Sequence, residues 1–282
     1  MVIGLSLIGL WLHLACPTHN QVVPFSDPNL EAAIREALEK PAGPIYSPEL
    51  AALARLDAPG KAIQDVSGLE YCTALTVLQT NDNEIDDISP LANLTGLTHI
   101  YLMRNDISDL SPLANLTSLE YLHLTTNQIR DISPLANLTN LSNLGLDSNQ
   151  ISDVSPLVDL TNLESLDLLY NRISNISPLA NLTKLSSLGL DSNQITDVSP
   201  LANLTGLTRL GLDSNRISDI SALANFTSLT SLGLNGNQIS DISPLADLTS
   251  LTHLYLVENP LSWASINIYI PLFQARGVTV QY

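Results

Sequence analysis

The chain has 282 residues, 45% apolar but only 5% aromatic, so Leu and Ile must supply most of its core. Twenty-eight acidic side chains against 11 basic ones give a formal net charge of −17, which repels phosphate backbones, disfavours nucleic acid as a ligand and favours basic partners. Two cysteines, Cys16 and Cys72, are too few for a disulfide framework.

In chain order, the first element is the apolar run Val2 to Cys16. Fifteen residues with His13 inside are short for a membrane-spanning helix, and the run fits the apolar centre of a signal peptide. Residues 1–24 are therefore assigned as a leader directing export. Leu14-Ala15-Cys16 is similar to a bacterial lipobox, although His13 stands where that motif wants a branched apolar residue. Cys16 is thus a candidate lipid anchor, with ordinary cleavage the favoured outcome.

Residues 25–68 predict an N-terminal cap. Asp27-Pro28 opens a helix, with Asp as N-cap and Pro at the first helical position. Ser47-Pro48-Glu49 opens a second. Leu53, Leu56, Ile63 and Val66 follow in the phase of the units downstream, so a degenerate unit precedes Leu69.

From Leu69 the sequence repeats every 22 residues without a slip, the nine units starting at Leu69, Leu91, Leu113, Leu135, Leu157, Leu179, Leu201, Leu223 and Leu245. Residues 69–259 are assigned to these repeats. Apolar residues recur at unit positions 1, 4, 7, 10, 12, 17 and 20, and Cys72 takes a core position of the first unit. Positions 10 and 12 are expected to alternate inward on a short strand, with 9, 11 and 13 outward. Position 15 is Asn in every unit, as at Asn149 and Asn193. A buried amide there must be paired, so it should bond the backbone groups that a bend strands. Asp at position 19, replaced by Asn175 in one unit, should bond nearby N–H groups, and the Pro that follows should redirect the chain. One unit cannot bury its own Leu face, so stacked units need caps at both ends. Residues 260–282 depart from the repeat, and Trp263, Ile266, Ile268, Ile270, Leu272 and Phe273 are expected to cover the last Leu layer.

The pattern L-x-x-L-x-L-x-x-N-x-I matches the leucine-rich-repeat signature. The fuller unit N-x-I-x-D-I-S-P-L-A-x-L-T resembles the repeats of bacterial internalins, over roughly Phe25 to Tyr282. The fold class expected is an α/β solenoid: a horseshoe with one parallel sheet on its concave face, a helical N-terminal cap and a C-terminal cap. The resemblance further implies 3₁₀ or irregular turns outside and protein recognition on the concave face. Several internalins bind host surface receptors. Neither an immunoglobulin-like module nor an LPXTG wall-sorting tail follows these repeats, so host invasion and covalent wall anchoring are not expected.

Units 4, 6 and 7 are near copies, so the deviating units are the informative ones. Unit 2 presents His99, Tyr101 and Met103 at the outward positions, and unit 3 presents Tyr121, His123 and Thr125. Neighbouring strands should set His99 beside Tyr121 and Tyr101 beside His123. Gly145, Gly189, Gly211 and Gly233 predict a bare floor, lined by Asp147, Asp191 and Asp213 with Asp167 rising from it. Leu169 and Tyr170 should add apolar surface, and unit 9 returns to His253, Tyr255 and Val257. These residues are the candidate partner-binding set. Carboxylates on one flat sheet make a poor cation cage, so no metal and no cofactor is expected. No catalytic motif is present, and the chain is not expected to be an enzyme. The function expected is an extracellular or envelope protein-binding module, monomeric, whose ligand carries a basic patch. The alternative is a cytosolic regulator that binds an enzyme.

Overall fold

The structure is a computed structural model describing residues 20–282. The leader and the candidate anchor at Cys16 lie outside the described residues, apart from the last five positions of the segment 1–24. Helix α1 (Pro28–Ala37) and helix α2 (Ser47–Ala51) come first. Eleven three-residue strands follow: β1 Arg55–Asp57, β2 Val77–Gln79, β3 His99–Tyr101, β4 Tyr121–His123, β5 Asn143–Gly145, β6 Ser165–Asp167, β7 Ser187–Gly189, β8 Arg209–Gly211, β9 Ser231–Gly233, β10 His253–Tyr255 and β11 Thr279–Gln281. Helix α3 (Ile270–Ala275) lies between the last two. The strands form one open parallel sheet in sequence order. Pairing follows the sequence period, so equal unit positions face each other: His99 pairs with Tyr121, Ile100 with Leu122 and Tyr101 with His123. Each unit is thus one coil, numbered 1 to 9 from Leu69.

The coil follows from its residue pattern. Every apolar position of the repeat is buried, with Leu or Ile at almost every site, forming one continuous core cluster. Burying a Leu or Ile side chain gains about 1.5–3 kcal/mol, but only when the neighbouring coil closes over it. Cys72 packs as predicted, fully buried as a small apolar core side chain, and burial pushes its thiol up to about 12. Thr80 is the exception at position 12: it is fully buried, and its hydroxyl has no hydrogen-bond partner.

The Asn at position 15 behaves as a backbone staple. Asn149 is 8% exposed. Its Nδ2 donates to the carbonyls of Leu124, Leu146 and Asp147 at 3.1, 3.0 and 3.2 Å, and its Oδ1 accepts the Ile129 N–H at 3.0 Å. The amides therefore bond backbone of their own and the preceding coil rather than one another. Asp131 accepts the Ser133 N–H at 2.8 Å, the same turn recurs in coils 1, 2, 4, 6, 7 and 8, and in coil 5 Asn175 does likewise for Ser177 at 3.0 Å. Pro then sits in the first turn of the short 3₁₀ segment that follows.

At the N-terminal end, Asp27 caps α1 through the Asn29 and Leu30 N–H groups and also accepts the N–H groups of Gln64 and Asp65. One carboxylate thereby fastens the cap helix to the degenerate coil. The C-terminal cap departs from the expected list. Ile270 and Phe273 do cover the last layer, joined by Val278, and Leu272 is half-buried. Trp263, Ile266 and Ile268 are exposed, Trp263 at 72%. The reason is a π-helical turn over Ser265–Tyr269, which puts Ser265 and Ile270, five residues apart, on the core side. The buried Ser265 hydroxyl donates to Ser240 O at 2.7 Å and accepts the Ile242 N–H at 3.2 Å.

Candidate protein-binding face

Along the sheet, position 11 runs Gln79, Tyr101, His123, Gly145, Asp167, Gly189, Gly211, Gly233 and Tyr255 from coil 1 to coil 9. Strand register places these side chains in one outward row, so the face divides into an aromatic end, a glycine-rich middle and a second aromatic end.

The aromatic end is ordered. His99 and Tyr121 stack with ring centroids 4.4 Å apart and planes 9° from parallel, and Tyr101 and His123 stack at 5.4 Å and 28°. The Thr98 hydroxyl and His99 Nδ1 lie 2.9 Å apart, holding the first ring. Met103 lies beside them, half-buried, while Arg104 pairs with Asp82 at 3.0 Å in an exposed contact of little energetic weight. At the far end His253 and Tyr255 pack at 6.3 Å.

The middle differs from the bare floor expected, because side chains of preceding coils fold over the glycines. A Cβ at Gly145 would stand 2.9 Å from His123 Nδ1, and one at Gly189 would meet Leu169 and stand 2.9 Å from Asp167 Oδ1. The same virtual atom at Gly211 and Gly233 would meet Asp191 and Asp213. Glycine at position 11 there leaves the space that the neighbouring side chain takes.

That arrangement explains the Asp row. Asp147 Oδ1 accepts the Leu169 N–H at 3.0 Å, Asp191 Oδ1 accepts the Asp213 N–H at 2.7 Å, and Asp213 Oδ1 accepts the Asn235 N–H at 2.7 Å. Asn81 and Asn235 do the same for Met103 and Val257. Position 13 therefore carries a second, discontinuous ladder beside the Asn ladder. Sequence reasoning missed it, although the preference of position 13 for Asp and Asn was a signal. Burial pushes the Asp147 carboxyl up to about 6, against the lowering effect of its bond from Leu169, and raises Asp191 as well. Asp167 is also raised by burial, which outweighs the opposing pull of His123 and Arg209.

Among the candidates, Tyr170 is not on the strand row. It occupies the left-handed bend at position 14 with φ 52° and is 62% exposed at the edge of the face, next to half-buried Leu169. A concave depression of about 290 Å³ joins Asp167, Leu169, Asp191, Asp213 and Tyr255 with Ser187 and Arg209, which sequence analysis had not singled out. Asp147 and the His99–Tyr121 group lie outside it. A second groove, of about 650 Å³, lies at the N-terminal cap beside Ser47, Ala51 and Tyr71. Its carboxylate, Glu70, accepts the Gly68 N–H at 2.7 Å. Among the described residues no cluster of His, Cys, Asp or Glu is arranged to hold a metal, and no helix is long and apolar enough to cross a membrane.

A family model for leucine-rich repeats in two copies matches residues 95–137, 139–181, 183–225 and 227–267. Comparison with curated proteins found no match. Among solved structures, internalin C2 of Listeria monocytogenes is 41% identical, with a TM-score of 0.73 over 75% of this chain and 94% of that one. An internalin F structure from the same organism is 36% identical, with a TM-score of 0.65 over 91% and 88%. The functional domain of internalin J, also from Listeria monocytogenes, is 27% identical, with a TM-score of 0.70 over 84% and 56%. Phased coils, the Asn ladder, a single parallel sheet and these matches agree: the chain belongs to the leucine-rich-repeat proteins of the internalin type.

Proposed function

We propose that the chain is an exported or envelope-associated recognition module that binds a protein partner on its concave face, with Tyr101, Tyr121 and His123 at the energetic centre. The observation that carries this reading is the pair of His–Tyr stacks across β3 and β4. Rings already held against each other lose little rotamer entropy when a partner covers them, and interface energy concentrates in such anchors. The four rings face away from the Leu core, so the fold does not need them for burial. Export is supported by the leader-like run Val2 to Cys16 and by the likeness to internalins.

The test is a titration of a captured envelope or cell-surface partner with four variants. Tyr101→Ala and Tyr121→Ala each weaken binding by about 1–3 kcal/mol with nearly unchanged melts, whereas Ser187→Ala and Ser231→Ala, which trim only a hydroxyl from the glycine-rich depression, weaken it much less. Greater losses in the serine variants would move the centre off coils 2 and 3. Mass spectrometry of native material checks export: the mature chain lacks Met1 to Ala15.

A further inference from the structure

The four carboxylates of the concave row look alike in sequence, but the fold uses them differently. Asp147 commits Oδ1 to Leu169, and Asp213 commits both oxygens to Asn235, through N at 2.7 Å and Nδ2 at 3.0 Å. Asp191 commits Oδ1 to Asp213 and turns Oδ2 over Gly211. Asp167 commits neither oxygen: no hydrogen bond among the described residues reaches it, burial raises its carboxyl, and the charges of His123 and of Arg209, which lines the same depression, pull against that rise. It stands between Gly145 and Gly189 on the strand row, half-buried and without a flanking side chain at its own position. A carboxylate removed from water and given no donor is costly until a donor arrives.

We infer that the depression over Gly189 and Gly211 is a subsite for one arginine side chain of the partner, its guanidinium seated on the free Asp167 carboxylate. The chemistry of the walls selects this occupant. Asp167 offers two oxygens to a planar fork of donors, which a guanidinium matches and an ammonium does not. Leu169 lies against Gly189 and gives the alkyl stem an apolar wall. A depression of about 290 Å³ has room for one long side chain. The overall charge of −17 draws a cation toward the face. The subsite rests on the reading that the concave face binds a protein, and it adds which side chain enters and where.

The subsite can be tested without the partner. The full chain, ¹⁵N-labelled, is titrated with N-acetyl-arginine amide, N-acetyl-lysine amide and N-acetyl-norleucine amide, following the Gly189 and Gly211 amides. The arginine probe produces saturating shifts at these glycines, and the norleucine probe does not. Asp167→Asn weakens the arginine probe at least tenfold, while Glu164→Gln, the same change in net charge at an exposed site, leaves it unaltered. Because the Asp167 carboxylate holds no donor, its amide variant folds normally, which an unchanged melt confirms. Equal shifts from arginine and norleucine probes, or equal losses in the two variants, would overturn the subsite. Equal affinity for the lysine probe would overturn the guanidinium assignment. Either failure leaves the tyrosine-centred reading to be judged by its own titration, which uses the protein partner and different residues.

Discussion

Replacing Asp147 by Asn should stabilise the protein at neutral pH. Burial raises the Asp147 carboxyl from its ordinary 3.8 to about 6, so the folded state disfavours the charged form. At about 1.4 kcal/mol per pH unit, the difference is worth roughly 3 kcal/mol if taken in full. The group retains contact with water, and screening reduces the figure to about 1–2 kcal/mol. The sign follows from proton counting. Between pH 3.8 and about 6 the native state holds the proton more tightly than the unfolded chain, so stability falls as pH rises through that window and is lowest above it. An Asn keeps the acceptor for Leu169 without the charge, as Asn81 and Asn235 do at the same position in other coils at 2.9 and 2.8 Å. Urea melts of both proteins at pH 4 and pH 7.5 decide the matter. The variant gains about 1–2 kcal/mol at pH 7.5 and little at pH 4, so its stability depends less on pH. A variant that is weaker at pH 7.5, or that gains equally at both values, would refute the argument that desolvation of this carboxylate governs its contribution.

Two further substitutions probe the interior. Asn149→Ala removes three donated bonds and one accepted bond inside the Asn ladder, and should cost about 1–3 kcal/mol in a urea melt, with an unchanged midpoint counting against the ladder. Thr80→Val replaces a buried hydroxyl that has no partner by a methyl of similar size, and should raise stability by about 1 kcal/mol at the same m-value. A loss on Thr80→Val would mean that the hydroxyl makes a bond in solution.

The sequence by itself determined the period, and with it most of the fold. A 22-residue repeat with apolar positions in constant phase admits one register, because a slip of one residue would turn every core Leu outward. Coil boundaries, strand positions, the Asn ladder and the pairing of His99 with Tyr121 and Tyr101 with His123 all follow from counting. Identities at non-repeating places were less legible. Along 260–282 no neighbouring copy sets the phase, so which of Trp263, Ile266, Ile268 and Ile270 faced inward depended on a π turn that sequence does not announce. The fate of the Asp residues was decided only by tertiary structure. Asp147 and Asp213 bond backbone N–H groups 22 residues ahead, whereas Asp167, one position class away on the same face, bonds none. Whether a carboxylate is spent on the fold or left for a ligand depends on where the next coil places its N–H and on a glycine making room above it. Those are relations between coils, and they exist only once the coils are stacked.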